Sequence, residues 1–235
     1  MLKVSRISGG EPEIFHSIQG EGISIGVPSV FLRLATCNLN CAWCDTKYTW
    51  DWQNFSYETE VVEMESSDIQ QKIQAFDCSH VVITGGEPML QQAELEPLVT
   101  ALAGEGYTFE VETNGTIAPS PEMLHHIGQW NVSPKLRTSG NPSDGSQIPS
   151  VLNAFAGIPG AYFKFVITGE TDIAEVCGLR DEYRLKADRI LLMPEGRTPD
   201  ALAKKSSWLT ESCVEHGFRF TTRLHIILWG DERGR

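Results

Sequence analysis

Apolar positions along the 235-residue chain follow two periods in alternation. Short runs dense in β-branched and aromatic residues predict strands at 29–35 (SVFLRLA), 80–84 (HVVIT), 107–112 (YTFEVE), 129–133 (QWNVS), 162–168 (YFKFVIT) and 189–194 (RILLMP). Between them, apolar residues recur at helical spacing over 66–76, 92–106, 121–128, 170–185 and 198–217. This coarse alternation of strand and helix predicts a parallel sheet with right-handed crossovers. A closed eight-unit barrel takes about 250 residues. Six such units could make a doubly wound sheet or a partial barrel; the expected fold is α/β, an incomplete TIM-type barrel of about six parallel βα units in one domain spanning 1–235. The Pro/Gly/Ser-rich stretch 138–150 reads as a surface excursion.

Composition narrows the partners. A net charge of −12 and a pI near 4.9 argue against tracking a nucleic-acid backbone and favour a small-molecule ligand held by locally placed cations. No apolar run approaches the roughly 20 residues that span a bilayer, and the first residues lack the apolar stretch of a secretory signal. The reading is a cytoplasmic protein without a membrane partner. Six cysteines in a reducing compartment point to metal before disulfides.

Unusual residues gather after the strands: TCNLNCAWCDT after the first, GGEP after the second, TNG after the third, PK after the fourth, EG after the sixth. Parallel α/β folds bind ligands at the carboxyl ends of their strands, so these segments are expected on one face. Cys37, Cys41 and Cys44, spaced C-x3-C-x2-C, select a soft metal, either zinc or the iron of an iron–sulfur cluster. Structural zinc wants four ligands, and the other thiols are poorly placed to supply one. Cys78 precedes its strand, and Cys177 and Cys213 fall in predicted helices, so all three read as inert core thiols. Three thiolates with one position open describe a cuboidal 4Fe-4S cluster with a unique iron.

C-x3-C-x2-C after the first strand, Trp43 before the last cysteine, and GGEP after the second strand resemble the radical S-adenosylmethionine superfamily. That resemblance implies a 4Fe-4S cluster and S-adenosylmethionine (SAM), cleaved reductively to a 5′-deoxyadenosyl radical. It assigns Gly86, Glu112, Asn114, Ser133, Pro134 and Lys135 to SAM. FHSIQGEG (15–22), CNLNCAWCDT (37–46) and RLHIILWG (223–230) resemble, within it, the 7-carboxy-7-deazaguanine synthase family over nearly the whole chain. The resemblance implies a lyase of queuosine and 7-deazapurine biosynthesis, turning 6-carboxy-5,6,7,8-tetrahydropterin into 7-carboxy-7-deazaguanine and ammonia. SAM is regenerated and Mg2+ assists. Thr46 is the magnesium-side oxygen, and Ile18, Gln19, Gly20, Glu21, Arg33, Thr84 and His225 form the substrate side. A homodimer and an external electron donor such as flavodoxin complete the picture.

The cluster loop is expected over 36–46 and a substrate-side segment over 218–235. Some family members end soon after the histidine that His225 matches and use the terminal segment on substrate. This chain continues through GDERGR, so that contact is not carried over. Lys164, on the fifth predicted strand, needs an acid partner or a place in the site. Two other readings stand beside this one. An activating enzyme for glycyl-radical proteins shares the cysteine spacing but has no use for a pterin pocket. A zinc-stabilised binding module would need no catalysis.

Overall fold

Side-chain alternation along the strands explains the architecture. In the computed structural model, which describes residues 1–7 and 10–235, ten strands form one sheet: β1 (Leu2–Ser5), β2 (Ile14–Ile18), β3 (Pro28–Leu34), β4 (Val61–Met64), β5 (His80–Gly85), β6 (Thr108–Thr113), β7 (Gln129–Val132), β8 (Ala161–Ile167), β9 (Ile190–Pro194) and β10 (Arg219–Phe220). One set of alternate positions is apolar throughout: Val30, Leu32 and Leu34 on β3, Val81 and Ile83 on β5, Phe109 and Val111 on β6. Trp130 and Val132 on β7 and Phe163, Phe165 and Ile167 on β8 continue the layer. It packs against Ile69, Ile73, Leu95, Leu98, Leu102, Leu152, Phe155, Val176 and Leu209 of the surrounding helices. Each such buried side chain is worth about 1.5–3 kcal/mol, enough in sum to tolerate charge on the other face.

The strands run in the order β10-β9-β8-β7-β6-β5-β3-β1-β4, parallel from β3 to β10, with β2 antiparallel on β3. Among the described residues β4 and β10 do not pair, so the sheet stays open as an incomplete barrel. The six predicted parallel strands are present, and the short β10 adds a seventh. β1 and β4, at one edge, run antiparallel to their neighbours; with β2 they carry too few apolar positions to announce themselves. The helix Pro149–Ala156 was also unassigned, because its short apolar face follows directly on the polar excursion. Among the described residues no helix is long and apolar enough to cross a membrane.

Register sets the site. Arg33 pairs with Thr84, Glu112 with Asn131, and Val166 with Met193. These positions alternate with the apolar ones, so they face the inside of the curved sheet at the carboxyl ends of the strands.

Candidate active site

The inner face opens into a cleft whose cavity volume is about 220 Å³. Cys37, Cys41, Cys44 and Thr46 line it, as do Gly86, Glu112, Asn114, Ser133 and Lys135, and Ile18, Gln19, Gly20, Glu21, Arg33, Thr84 and His225. Pro134 does not. It is buried between two lining residues, Ser133 and Lys135. Met193 and Glu195 of the stretch after the sixth predicted strand also line the cleft. Cys78, Cys177 and Cys213 do not, and burial pushes the Cys213 thiol up to about 11.

The cysteine loop is held by the turn after β5. The Gly86 amide donates to Leu34 O at 2.9 Å, and the Glu87 amide to Thr36 O at 2.8 Å. Buried Glu87 accepts from Thr113 Oγ1 (2.7 Å), the Asn114 amide (2.6 Å) and the Met89 amide (3.0 Å), tying three strand ends together. Sequence reasoning quoted GGEP for its glycines and missed this acid.

The donors around the thiols suit an iron–sulfur cluster. Each sulfur accepts an N–H: Cys37 from the Leu39 amide at 3.4 Å, Cys41 from Asn141 Nδ2 at 3.2 Å, Cys44 from Trp50 Nε1 at 3.3 Å. Burial pushes the Cys37 thiol up to about 12 and raises Cys41. Three thiolates there need a metal cation, with Lys135 helping. Among the described residues no three His, Cys, Asp or Glu side chains close on the position of a single ion. The three thiols line one cavity. The Thr46 hydroxyl caps nothing in the turn that follows, and its partner is Cys44 Sγ at 3.6 Å.

Opposite the thiols, charge is paired across the cleft. Arg33 Nε donates to buried Glu13 at 2.8 Å, which also accepts from Tyr48 OH at 3.1 Å. Burial works against the Arg33 charge, but Glu13 and Tyr48 more than offset it, keeping the guanidinium protonated. Among the described residues its two terminal amino groups have no hydrogen-bond partner, so the fork keeps donors for an anion in the cleft. Lys164 does both things asked of it: it lines the cleft and bridges Glu21 (2.5 Å) and Glu112 (3.3 Å). Burial opposes charge on Glu21, yet Lys164 and Arg223 hold its carboxyl well below the usual range. For Glu112 burial wins and the carboxyl is raised.

Arg223, missed from the sequence, joins Glu21 (3.1 Å), Asp45 and the Gly196 carbonyl (2.8 Å), fastening three loops to one another. The Gln19 amide turns inward: Nε2 donates to Glu110 (2.6 Å) and Glu112 (3.3 Å), and Oε1 accepts the Glu21 amide (3.1 Å). It orients acids instead of offering itself to a ligand.

The C-terminal segment closes this side. Leu224 donates its amide to Gly20 O at 2.8 Å, and a Cβ on Gly20 would lie 2.2 Å from His225 Nδ1. Only glycine lets that imidazole sit there. GDERGR also reaches the cleft. Asp231 pairs with Arg197, Arg233 pairs with Glu60 at 2.7 Å and lies 3.4 Å over the Tyr48 ring, and Arg235 is among the lining residues.

Burial, with Arg223, Arg33 and Lys164 nearby and only Glu21 opposing, brings His225 down to about 4. Its ordinary value is about 6.5, so between those limits the unfolded chain binds more protons. Stability therefore falls as pH drops from about 6.5 towards 4. His225→Gln should show a smaller loss of melting temperature across that window than the unsubstituted protein; equal losses would mean the imidazole is not held neutral.

A radical SAM superfamily model matches residues 33–133, from Arg33 through Ser133. The 7-carboxy-7-deazaguanine synthase of Pyrobaculum aerophilum is 40% identical over 225 residues, covering 95% of this chain and 96% of that one. The chain belongs to the 7-carboxy-7-deazaguanine synthase family. The Halobacterium salinarum synthase is 36% identical over 93% of this chain and 90% of its own length. The crystal structure of QueE from Escherichia coli matches with a TM-score of 0.67 at 28% identity, over 95% of both chains. Streptococcus suis SuiB bound to S-adenosylmethionine matches with a TM-score of 0.55 at 16% identity, over 82% of this chain and 50% of that one, a likeness of fold. Radical SAM family membership implies a 4Fe-4S cluster and SAM as cofactors, and the likeness to the synthases does not favour the zinc-module or activating-enzyme readings.

Proposed function

We propose that this protein converts 6-carboxy-5,6,7,8-tetrahydropterin to 7-carboxy-7-deazaguanine and ammonia. The observation that carries the reading is one cleft lined both by the three-thiol loop and by Arg33, Glu21, Gly20 and His225. When bound, the cluster and SAM supply a carbon-centred radical able to take a hydrogen from the substrate. Cys37, Cys41 and Cys44 of the 36–46 loop are the cluster ligands in this proposal. Gly86, Glu112, Asn114, Ser133 and Lys135 form the SAM side, with Pro134 shaping the wall behind them.

The rest of the chemistry falls to the opposite wall. Arg33, held by Glu13, offers its remaining donors to the substrate carboxylate. Ile18 and Gly20 line the cleft on the side of the pterin edge, Thr84 flanks it, and Gln19 keeps Glu21 and Glu112 in position. Neutral His225, in the 218–235 segment, can accept or donate a single hydrogen bond without adding charge. The Thr46 hydroxyl is a hard oxygen suited to Mg2+, which keeps several waters and takes few protein ligands. Family resemblance also supports a homodimer and an external one-electron donor such as a flavodoxin.

The test is anaerobic turnover of carboxytetrahydropterin. Carboxydeazaguanine should form in many turnovers per SAM, and Thr46→Ala should lower turnover about tenfold at limiting Mg2+ with cluster content unchanged. Stoichiometric consumption of SAM without deazapurine would overturn the assignment, and an unaltered magnesium response would remove Thr46 from it.

A further inference from the structure

The stretch 138–150, a surface excursion by sequence, is built into the cysteine loop. The Ala42 amide donates to Ser139 O at 2.9 Å and the Asn40 amide to Asn141 Oδ1 at 2.9 Å, while Asn141 Nδ2 reaches Cys41 Sγ at 3.2 Å. One carboxamide thus clamps the loop with its oxygen and addresses a ligand thiol with its nitrogen. A second residue does the same from the other side. Trp50 Nε1 donates to Cys44 Sγ at 3.3 Å, and the turn carrying Trp50 is fixed by Thr36 N to Thr49 O at 2.6 Å and Thr49 Oγ1 to Thr46 O at 2.8 Å.

A neutral thiol is a weak acceptor, a poor use for two side-chain N–H groups that cost free energy when desolvated. A thiolate is a charged acceptor and roughly doubles the strength of such a bond. We propose that Trp50 and Asn141 are positioning residues whose side-chain N–H groups, aimed at Cys44 and Cys41, raise the reduction potential of the cluster those cysteines hold. The inference rests on the cluster reading above. Its physical basis is that one electron, delivered by an external one-electron reductant, adds negative charge that spreads onto the sulfurs. Each N–H donor binds the reduced state more strongly than the oxidised one and shifts the equilibrium towards reduction. Cys37 has the Leu39 backbone amide in that place, which a change of side chain other than to proline leaves intact.

The experiment is a potentiometric titration of the reconstituted full chain under anaerobic conditions, followed by electron paramagnetic resonance of the reduced cluster. Trp50→Phe keeps the ring and deletes the donor. Asn141→Asp keeps the oxygen that holds Asn40 and deletes the donor facing Cys41. Both should retain iron and sulfide at the level of the unsubstituted protein. In Trp50→Phe the equilibrium constant for one-electron reduction should fall about tenfold, which is about 59 mV for one electron. Asn141→Asp should fall by at least as much, because its carboxylate also repels the added charge. Asn141→Leu serves as the uncharged check, and if it loses the cluster the other two variants still decide. Full clusters with unshifted potentials overturn this proposal and leave the cluster reading intact. An unsubstituted protein that holds no cluster overturns the reading itself.

Discussion

Gly86→Ala is expected to cost the protein its cluster although no ligand is touched. A Cβ at residue 86 would stand 2.0 Å from Thr36 O, 2.5 Å from Thr36 C and 3.1 Å from Cys37 Cβ. Two of these atoms are backbone, so no rotamer change relieves the overlap. Thr36 cannot retreat easily either. Its φ of 73° is rare for a β-branched residue, and that strain is held by the Glu87 amide on its carbonyl and by its own amide on Thr49 O. Forcing the GGEP turn away from the loop breaks the bonds from Gly86 to Leu34 and from Glu87 to Thr36 together, and moves Cys37 with them. The expected result is iron and sulfide below about a tenth of the normal content after reconstitution, with a loss of a few kcal/mol in unfolding free energy. A normally loaded Gly86→Ala protein would falsify the claim that this turn fixes the loop.

That contact also shows how far the sequence reached. Cys37, Cys41, Cys44 and the two glycines stood out as unusual residues at strand ends, and the fold brings them to one cleft. The six parallel strands were legible because β-branched runs alternate with helical runs, except between the fourth and fifth, where the helix Pro149–Ala156 was hidden by the polar stretch before it. Partners distant in the chain were not. Lys164 signals a need for a counter-charge, but nothing in one dimension says that Glu21, 143 positions away, meets it. Arg223 and Asp45 are 178 apart, and Glu13 stands in the bend just before β2, outside any periodic run. Gln19 was legible as a member of the site and illegible in its orientation, which depends on buried Glu110 two strands across the sheet. Asn141 sat in a stretch whose composition says only loop; its bond to Cys41 is a tertiary fact.

Lys164→Met is expected to be the most destabilising single change on the inner face, losing about 3–5 kcal/mol. Lys164 is 4% exposed and carries the charge that Glu21 and Glu112 share. Methionine matches its length but leaves two neighbouring carboxyls without that cation, Glu21 retaining Arg223 and Glu112 retaining only hydrogen-bond donors. Against a net stability of about 5–15 kcal/mol for a domain, the loss is readable by denaturant unfolding at pH 7. Its pH dependence follows from Glu21, whose carboxyl is depressed in the fold. The stability this supplies is present above the unfolded carboxyl value of about 4.3 and is lost as pH falls below it. The gap between parent and Lys164→Met should therefore be widest near neutrality and narrow below about pH 4. Adding Glu112→Gln to Lys164→Met removes the carboxyl left without a cation and should recover part of the loss, a coupling expected of residues in direct contact. Equal stability of parent and single variant at pH 7 would mean that water, not Lys164, neutralises the inner face, and the charge-paired wall proposed to receive the substrate would lose its footing.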